Sequence, residues 1–560
     1  FRYDGADGVH RSTTVAFSPQ PERTEATMAH FQLRVGPGEE SALLVSLCVA
    51  ESTAPEEVER PRPGAPDLAR LGRVLRRGAD RASARKPMVR SDSLLLNRVL
   101  ERSFRDLHML RSRWEDRSYF SAGLPWFGTL FGRDTIITAL ETLAYSPDVA
   151  PETLRVLAAH QGTATNDWRD EEPGKILHEL RVGEFARMGE IPHTPYYGTV
   201  DATPLFLILL GRHAAWTGEL DLFHELKENV ERALEWMRAA RNEDGYIAYR
   251  SGSEKGLVNQ GWKDSGDAIV NADGSLAEPP IALVEVQGYA YLAQRLVADL
   301  FRRSGDAGRA ERLEREAAVL MARFNRDFWM EQEGTYALAR QAGGRQAAVV
   351  SSNPGHALWA GIADREKARR TAERLMAPDM FSGWGVRTLS SREKRYNPIG
   401  YHLGTVWPHD NAILAAGLRR YGFDREALRI FSGIVRAVMD FEHYRLPELF
   451  AGFGEGEFPA PVRYPVACHP QAWAAGSIPY LLETLLGLVP EAFERRLRIV
   501  RPQLPDFVDR LRIDGLRVGG ARVSLRFERT RDGVGVQVLD RTGDLDVVVE
   551  PASAEVSGTA

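Results

Sequence analysis

The chain is poor in cysteine, with two among 560 residues, Cys48 and Cys468. That scarcity excludes a disulfide framework and a paired-cysteine metal motif, and it fits a reducing, cytoplasmic compartment. No apolar run is long enough to span a bilayer, so no membrane partner is expected, and no signal-peptide pattern opens the chain. Excess charge of one sign is lacking too. The 72 basic and 77 acidic residues leave a net charge of −5, without the basic surplus of a nucleic-acid binder. There is no HExxH and no paired His or Cys spacing, so neither a catalytic metal nor a cofactor is expected. No fixed sequence period recurs, which argues against a plain helical solenoid.

What is present is an ordinary globular balance, 43% apolar, in a chain long enough for two or three domains. Residues 1 to about 55 read as strands: STTVAFS, HFQLRVG and ALLVSLCVA, with GPGEE as a turn. Three strands are few for an independent domain. The chain opens on Phe1 instead of Met, and these strands read as the C-terminal part of a larger β-sandwich. Residues 56–91 look like a Pro-, Arg- and Ala-rich linker with one short helix.

From Asp92 to about 490 the periodicity turns helical, with about twelve candidates. They begin near Ser93, Arg133, Pro151, Ala202, Asp221, Pro280, Ala307, His356, Arg365, His409, Arg425 and Gln471. The fifth, seventh, ninth and eleventh carry one charged stripe, the mark of a helix with one face in water. The fourth, sixth, eighth, tenth and twelfth are apolar nearly all round and rich in small residues, the mark of a helix buried on every side. The alternation predicts a mainly α fold: an (α/α)6 toroid of six hairpins, each with an outer and an inner helix. Residues 497–560 revert to strands (ARVSLRFER, VGVQVLDRT, LDVVVEP) and read as a small C-terminal β-unit.

The loops before the buried helices hold the chemistry. GWKDSGDA, residues 261–268, places the carboxylates Asp264 and Asp267 beside Trp262 and Lys263 between two glycines. A helix interior disfavours such a run, whereas a loop presenting an acid to a sugar needs it: a flat apolar face, acceptors for hydroxyls, and a carboxyl for the glycosidic oxygen. Alone it also reads as an Asp-rich turn. Four other loop regions add Trp126, Arg133 and Asp134; Tyr197 and Asp201; His402, Trp407 and His409; and Glu448, Gln471 and Trp473. Each has a plainer role available. Arg133 and Asp134 suit a helix start, Asp410 a cap, and Glu448 a first-turn carboxylate. Convergence of five loop regions at one end of the predicted ring, each pairing aromatic with charged or amide groups, favours a binding cup.

The motifs GWKDSGD, RLPELFAGF, GWGVRTL and YNPIGYHLGTVWPHDNA together resemble the C-terminal catalytic domain of glycogen debranching enzymes, the amylo-α-1,6-glucosidase family, over roughly residues 92 to 490. More distantly they are similar to trehalases and mannosylglycerate-hydrolase-like glycosidases. The resemblance implies a general acid at Asp264, with Asp267 its rival, and a base at Glu448. It implies an inverting glycoside hydrolase acting on an α-linked glucosyl or related saccharide. No segment corresponds to the transferase domain of eukaryotic debranching enzymes. An (α/α)6 phosphorylase or epimerase is the alternative enzyme, and a non-catalytic carbohydrate-binding protein the alternative from another class.

Overall fold

In the computed structural model, residues 1–55, 72–73 and 87–551 are described. The expected linker falls mostly outside them, although its end, Met88–Ser91, is a strand. The chain divides into two compact units, one of residues 1–85 and 182–191 and one of residues 86–181 and 192–560.

In the smaller unit, Arg2–Asp4, His10–Ser18 and Leu44–Ser52 form an antiparallel sheet in that order. Two of the three expected strands are there. HFQLRVG is not a strand beyond His30. Both edges of the central strand are already taken, so its alternating pattern finds no backbone partner; Phe31 instead sets its ring edge-on to Phe17 at 5.2 Å. The short helix Glu184–Arg187 belongs to this unit, and Glu184 accepts a 2.8 Å hydrogen bond from the Tyr3 hydroxyl.

The larger unit contains, among the described residues, twelve helices of seven residues or more. They are α1 (Leu94–Met109), α2 (Gly132–Glu141), α3 (Val149–Ala159), α4 (Ala202–Thr217), α5 (Lys227–Ala239), α6 (Val284–Arg303), α7 (Ala307–Asp327), α8 (Pro354–Ala360), α9 (Arg365–Leu375), α10 (Pro408–Tyr421), α11 (Asp424–Val438) and α12 (Ala472–Leu486). Each corresponds to one of the expected helices. The even-numbered helices touch in cyclic order, α2 on α4, then α6, α8, α10 and α12, and α12 returns to α2. Each odd-numbered helix packs outside this circuit, as α7 does on α6 and α11 on α10. Burial follows composition. All of α8 is buried, and nearly all of α4 and α12, whereas α7 and α9 bury one stripe.

Between α1 and α2 lies a feature that the helical reading did not anticipate. The antiparallel strands Arg111–Trp114, Arg117–Gly123 and Phe127–Phe131, with Glu179–Leu180 at the edge, lead the chain into α2. Beyond α12, Arg510–Val518, Ala521–Thr530 and Gly533–Thr542 form an antiparallel sheet that takes Met88–Ser91 at its edge. In a second sheet Asp546–Glu550 runs parallel to Arg496–Val500.

Candidate active site

Every inner helix begins at the same end of the circuit, and the loops before those starts are laced together by backbone hydrogen bonds. Gly132 N–H donates to the His178 carbonyl at 2.8 Å. A Cβ on Gly132 would stand 2.0 Å from the Leu177 carbonyl oxygen, so only glycine lets α2 start this close to the neighbouring loop and carry Arg133 and Asp134 inward. Val200 N–H donates to Gln260 O at 2.8 Å, which joins the loop of Asp201 to that of Trp262 and Asp264. Val406 and Phe450 exchange hydrogen bonds of 2.9 and 3.0 Å, which brings the loop before α10 against the loop carrying Glu448. His469 N–H reaches Leu124 O at 2.9 Å and closes the chain of loops.

Arg133 is the electrostatic centre. Nη1 donates to both carboxylate oxygens of Asp201 at 3.1 and 3.0 Å, and Nη2 to Asp264 Oδ2 at 2.9 Å. Thr199 holds Asp201 Oδ1 from the other side at 2.6 Å. Burial works against the guanidinium charge, but Asp201, Asp264 and Asp134 outweigh it and raise the arginine pKa further. Three carboxyls of this cluster have raised pKa values. Burial lifts Asp264 to about 6 against the pull of Arg133. Burial lifts Asp134 to about 7, again against Arg133, with the charges of Asp264, Glu448 and Asp201 adding to the rise. Burial lifts Glu448 to about 7, against hydrogen bonds from the Tyr401 hydroxyl (2.5 Å to Oε1) and Cys468 N–H (2.9 Å to Oε2). Carboxyls poised near neutrality are what proton transfer at a glycosidic oxygen requires.

An aromatic cluster forms the floor. Trp262 stacks on His356 with ring centroids 5.8 Å apart and meets Trp407, His402 and His409 edge-on. His409 stacks on Trp473 at 3.8 Å and His402 on Trp407 at 5.0 Å. Burial, reinforced by Lys263 and Arg133 for His402 and by His356 and Arg133 for His409, holds both histidines well below the ordinary range and therefore neutral. The His356 ring bridges Asp410 Oδ1 (2.7 Å) and the Tyr289 hydroxyl (2.5 Å). Lys263 turns away from Asp264: its ammonium donates to Thr388 O at 2.6 Å. Burial lowers its pKa to about 8 against the attraction of Asp410 and Glu285. Several buried polar atoms here have no hydrogen-bond partner: Trp262 Nε1, Trp473 Nε1, both ring nitrogens of His409, Gln471 Oε1 and Asp410 Oδ2. Buried polar groups are rarely left so.

The structure thus brings together Arg133, Asp134, Asp201, Asp264 and Glu448 above Trp262, His402, Trp407, His409 and Trp473. Three expected residues face solvent or bond to other partners. Trp126 is 57% exposed, its indole N–H on the Val466 carbonyl at 3.0 Å. Tyr197 spends its hydroxyl on His160 O at 2.8 Å, with Arg169 over its ring. Asp267 is exposed, and its charge is felt at Tyr464. Lys263 belongs to the floor network, and Gln471 is wedged beside Gly123, with which it forms an isolated β-bridge. Arg133 and Asp134 do open a helix, with Asp134 in the first turn of α2, but none of Asp134, Asp410 and Glu448 caps one. The α2 N-cap is Phe131, Asp410 is held by His356, and Glu448 lies outside any helix. Sequence reasoning missed Tyr401, which lay inside a quoted motif without being singled out. It also missed Glu285, a fully buried carboxylate in an inner helix, where a lone acid in an apolar run was the available signal.

Residues 97–452 match the mannosylglycerate hydrolase MGH1-like glycoside hydrolase domain, and residues 1–46 match the N-terminal domain of some glycogen debranching enzymes. The mannosylglycerate hydrolase of Rubrobacter radiotolerans is 30% identical over 168 residues, 29% of this chain and 38% of that protein. Mannosylglycerate hydrolase MGH1 of Selaginella moellendorffii is 28% identical over 130 residues, 23% of this chain and 26% of that protein. The matches therefore span well under half the length of these curated relatives. Among solved structures, a GH78 family rhamnosidase of Bacillus sp. GL1 superposes with a TM-score of 0.60 at 15% identity, over 84% of this chain and 43% of that one. The GH63 mannosylglycerate hydrolase of Thermus thermophilus superposes with a TM-score of 0.50 at 15% identity, over 68% of this chain and 99% of that one. No helix among the described residues is long and apolar enough to cross a membrane. The debranching likeness is thus carried by the first 46 residues, and with its catalytic-region match covering well over half of its length the chain belongs to the family of MGH1-like glycoside hydrolase domains.

Proposed function

We propose that this protein is an inverting α-glycosidase whose catalytic (α/α)6 toroid runs over residues 92–490, with Asp264 as general acid and Glu448 as general base. The observation that carries the reading is the group of raised carboxyls around Arg133, set over a floor of buried and unpartnered polar atoms. A glycone that reaches Asp264, whose side chain is 27% exposed, would lie over that floor. Its entry also removes water from Asp264, which favours the protonated form. Asp264 then passes its proton to the glycosidic oxygen as the bond to the anomeric carbon breaks. Glu448 takes a proton from a water that attacks the same carbon from the opposite face. Tyr401 and the Cys468 N–H fix the orientation of that base.

The substrate we favour is a small α-glycoside of the kind named by the curated relatives, mannosylglycerate or its glucosyl counterpart. The match of residues 1–46 to a debranching-enzyme domain supports a second reading, an α-1,6-linked glucan branch. A screen of mannosylglycerate, glucosylglycerate, trehalose, isomaltose and branched dextrins separates the two by the sugar released. Turnover of none of them by the full chain would sink the hydrolase reading and favour a binding protein. Turnover that depends on added phosphate would favour a phosphorylase.

A further inference from the structure

The inner helices carry a different chemistry at their far ends. Arg212 on α4, Arg420 on α10 and Glu483 on α12 line a cavity of about 450 Å³ that Trp216, Trp359 and Tyr480 complete. An adjoining cavity of about 220 Å³ shares Arg212 and Arg420 and adds Arg295 from α6. Arg420 lies ten residues beyond Asp410 on α10, and at ~1.5 Å per residue roughly 15 Å of helix separates the two ends. These cavities are therefore not the cup.

Arg212, Arg295 and Arg420 form no ion pair among the described residues; Arg295 donates to the Tyr291 hydroxyl at 3.2 Å. The adjacent Arg419 is unlike them, since Asp424 holds it at 2.5 Å and the carbonyls of Thr484, Val500 and Arg501 take its other donors. The charged neighbours of Arg420 are Arg212 and Arg295, and burial together with these like charges holds its pKa below the ordinary arginine range. Glu483 Oε2 is buried without a hydrogen-bond partner. Burial raises this carboxyl to about 8 against the pull of Arg212, so near neutrality Glu483 offers a donor instead of a charge. Converging helix C-termini carry partial negative charge, which offsets some of the repulsion but leaves the guanidinium forks without an anion.

We propose that this end of the molecule binds a phosphate-bearing small molecule, with Arg212, Arg420 and Arg295 on the phosphate oxygens and Trp216, Trp359 and Tyr480 against an organic body. A dianion with several acceptor oxygens engages more than one guanidinium fork at once and brings more charge than a single carboxylate. The cavity volume suits a ligand of sugar-phosphate size.

The test is isothermal titration calorimetry of the full chain at constant ionic strength with inorganic phosphate, glucose 6-phosphate and glucose. Both phosphates should bind, glucose 6-phosphate at least tenfold more tightly, and glucose should not compete with either. Arg420→Gln and Arg212→Gln should each weaken phosphate at least tenfold. Should one of these variants fail to fold by circular dichroism, the other and the charge-keeping Arg420→Lys read the same contact, with Lys intermediate. Absence of phosphate binding by the wild-type chain would overturn the proposal and leave the arginines as neutralisers of the helix ends. Phosphate binding that survives both Gln substitutions would place the anion elsewhere, at Arg133 for instance. Equal affinity for the two phosphates would overturn the organic-body part.

Discussion

The Tyr401 hydroxyl donates a 2.5 Å hydrogen bond to Oε1 of Glu448, and the Cys468 N–H takes Oε2. Both oxygens of the proposed base are thus held by donors that favour its ionised form. Tyr401→Phe removes one donor. The Glu448 pKa, already the higher of the two, should rise further, so the alkaline limb of kcat/KM should move to higher pH by about one unit, with roughly a tenfold loss at pH 6. An unmoved alkaline limb with undiminished activity at pH 6 would mean that Glu448 is not the base being titrated.

Asp264→Asn keeps the side-chain shape but cannot give a proton. It should lower kcat roughly 10²–10⁴-fold on a natural α-glycoside and much less on an activated aryl glycoside, whose leaving group needs little protonation. Glu448→Gln should impair both substrates, because the water still needs a base. Proton NMR of the first product formed by the wild-type enzyme should show the β-anomer. An α-product would refute inversion, and with it the expected carboxyl separation of about 6.5–9.5 Å. Full activity in Asp264→Asn would shift attention to Asp134, which the structure places beside the same arginine.

Burial lifts Asp264 to about 6 and Glu448 to about 7, each against its hydrogen-bonding partners. The Asp264 charge adds to the rise at Glu448, so the two protons come off in overlapping steps. The active form, with the proton on Asp264 and Glu448 ionised, is the minority arrangement of the singly protonated pair because Glu448 titrates higher; it is still most populated near pH ~6.5, giving a bell-shaped kcat/KM profile centred there. A flat profile from pH 5 to 8 would contradict the assignment.

The same burial predicts a stability effect with a definite sign. Burial raises Asp134 from 3.8 to about 7 in the folded chain. Its neutral form is compatible with folding below the unfolded value, and that stability is lost as pH rises through the folded one. Asp134→Asn should therefore change the unfolding free energy little at pH 4 and raise it increasingly towards pH 8, by on the order of 2 kcal/mol. Chemical denaturation across that range reads the difference. A variant less stable than wild type at pH 8 would show that the ionised carboxylate holds the site together.

Trp407 is 1% exposed, stacked with His402, and its indole N–H donates to Tyr401 O at 2.9 Å. That makes it a wall more than an open platform. Trp407→Ala should destabilise the chain by about 3–5 kcal/mol as well as raise KM, and chemical denaturation separates the two effects. Wild-type stability with a raised KM would restore the platform role.

The helix boundaries were legible because the two faces of each hairpin obey different solvents. α7 and α9 show a charged stripe because one face meets water, and α4 and α12 show none because neighbours cover all sides. HFQLRVG failed for the converse reason. Alternation states that a segment suits a sheet, not that a sheet edge is vacant beside it. The hairpin around Glu115, from Arg111 to Gly123, escaped notice because the helical periodicity on either side dominated the reading.

At the site, residue type and loop position sufficed to single out Arg133, Asp134, Asp201, Asp264, Glu448 and the aromatic floor, since acids, arginine and tryptophan at the starts of all-apolar helices have few structural uses. Direction was invisible. Lys263 adjoins Asp264 in the chain yet points to Thr388, whereas Arg133, 131 residues away from Asp264, reaches it at 2.9 Å. Tyr197 lies four residues before Asp201 but bonds to the end of α3. The sequence by itself determined which segments are helical, which faces are buried and which loops gather charged and aromatic side chains, because those follow from local periodicity and side-chain type. The tertiary structure decided which carboxyls share one arginine and which of them lose enough water to hold a proton near neutrality. Those depend on through-space distance and on desolvation by residues hundreds of positions apart.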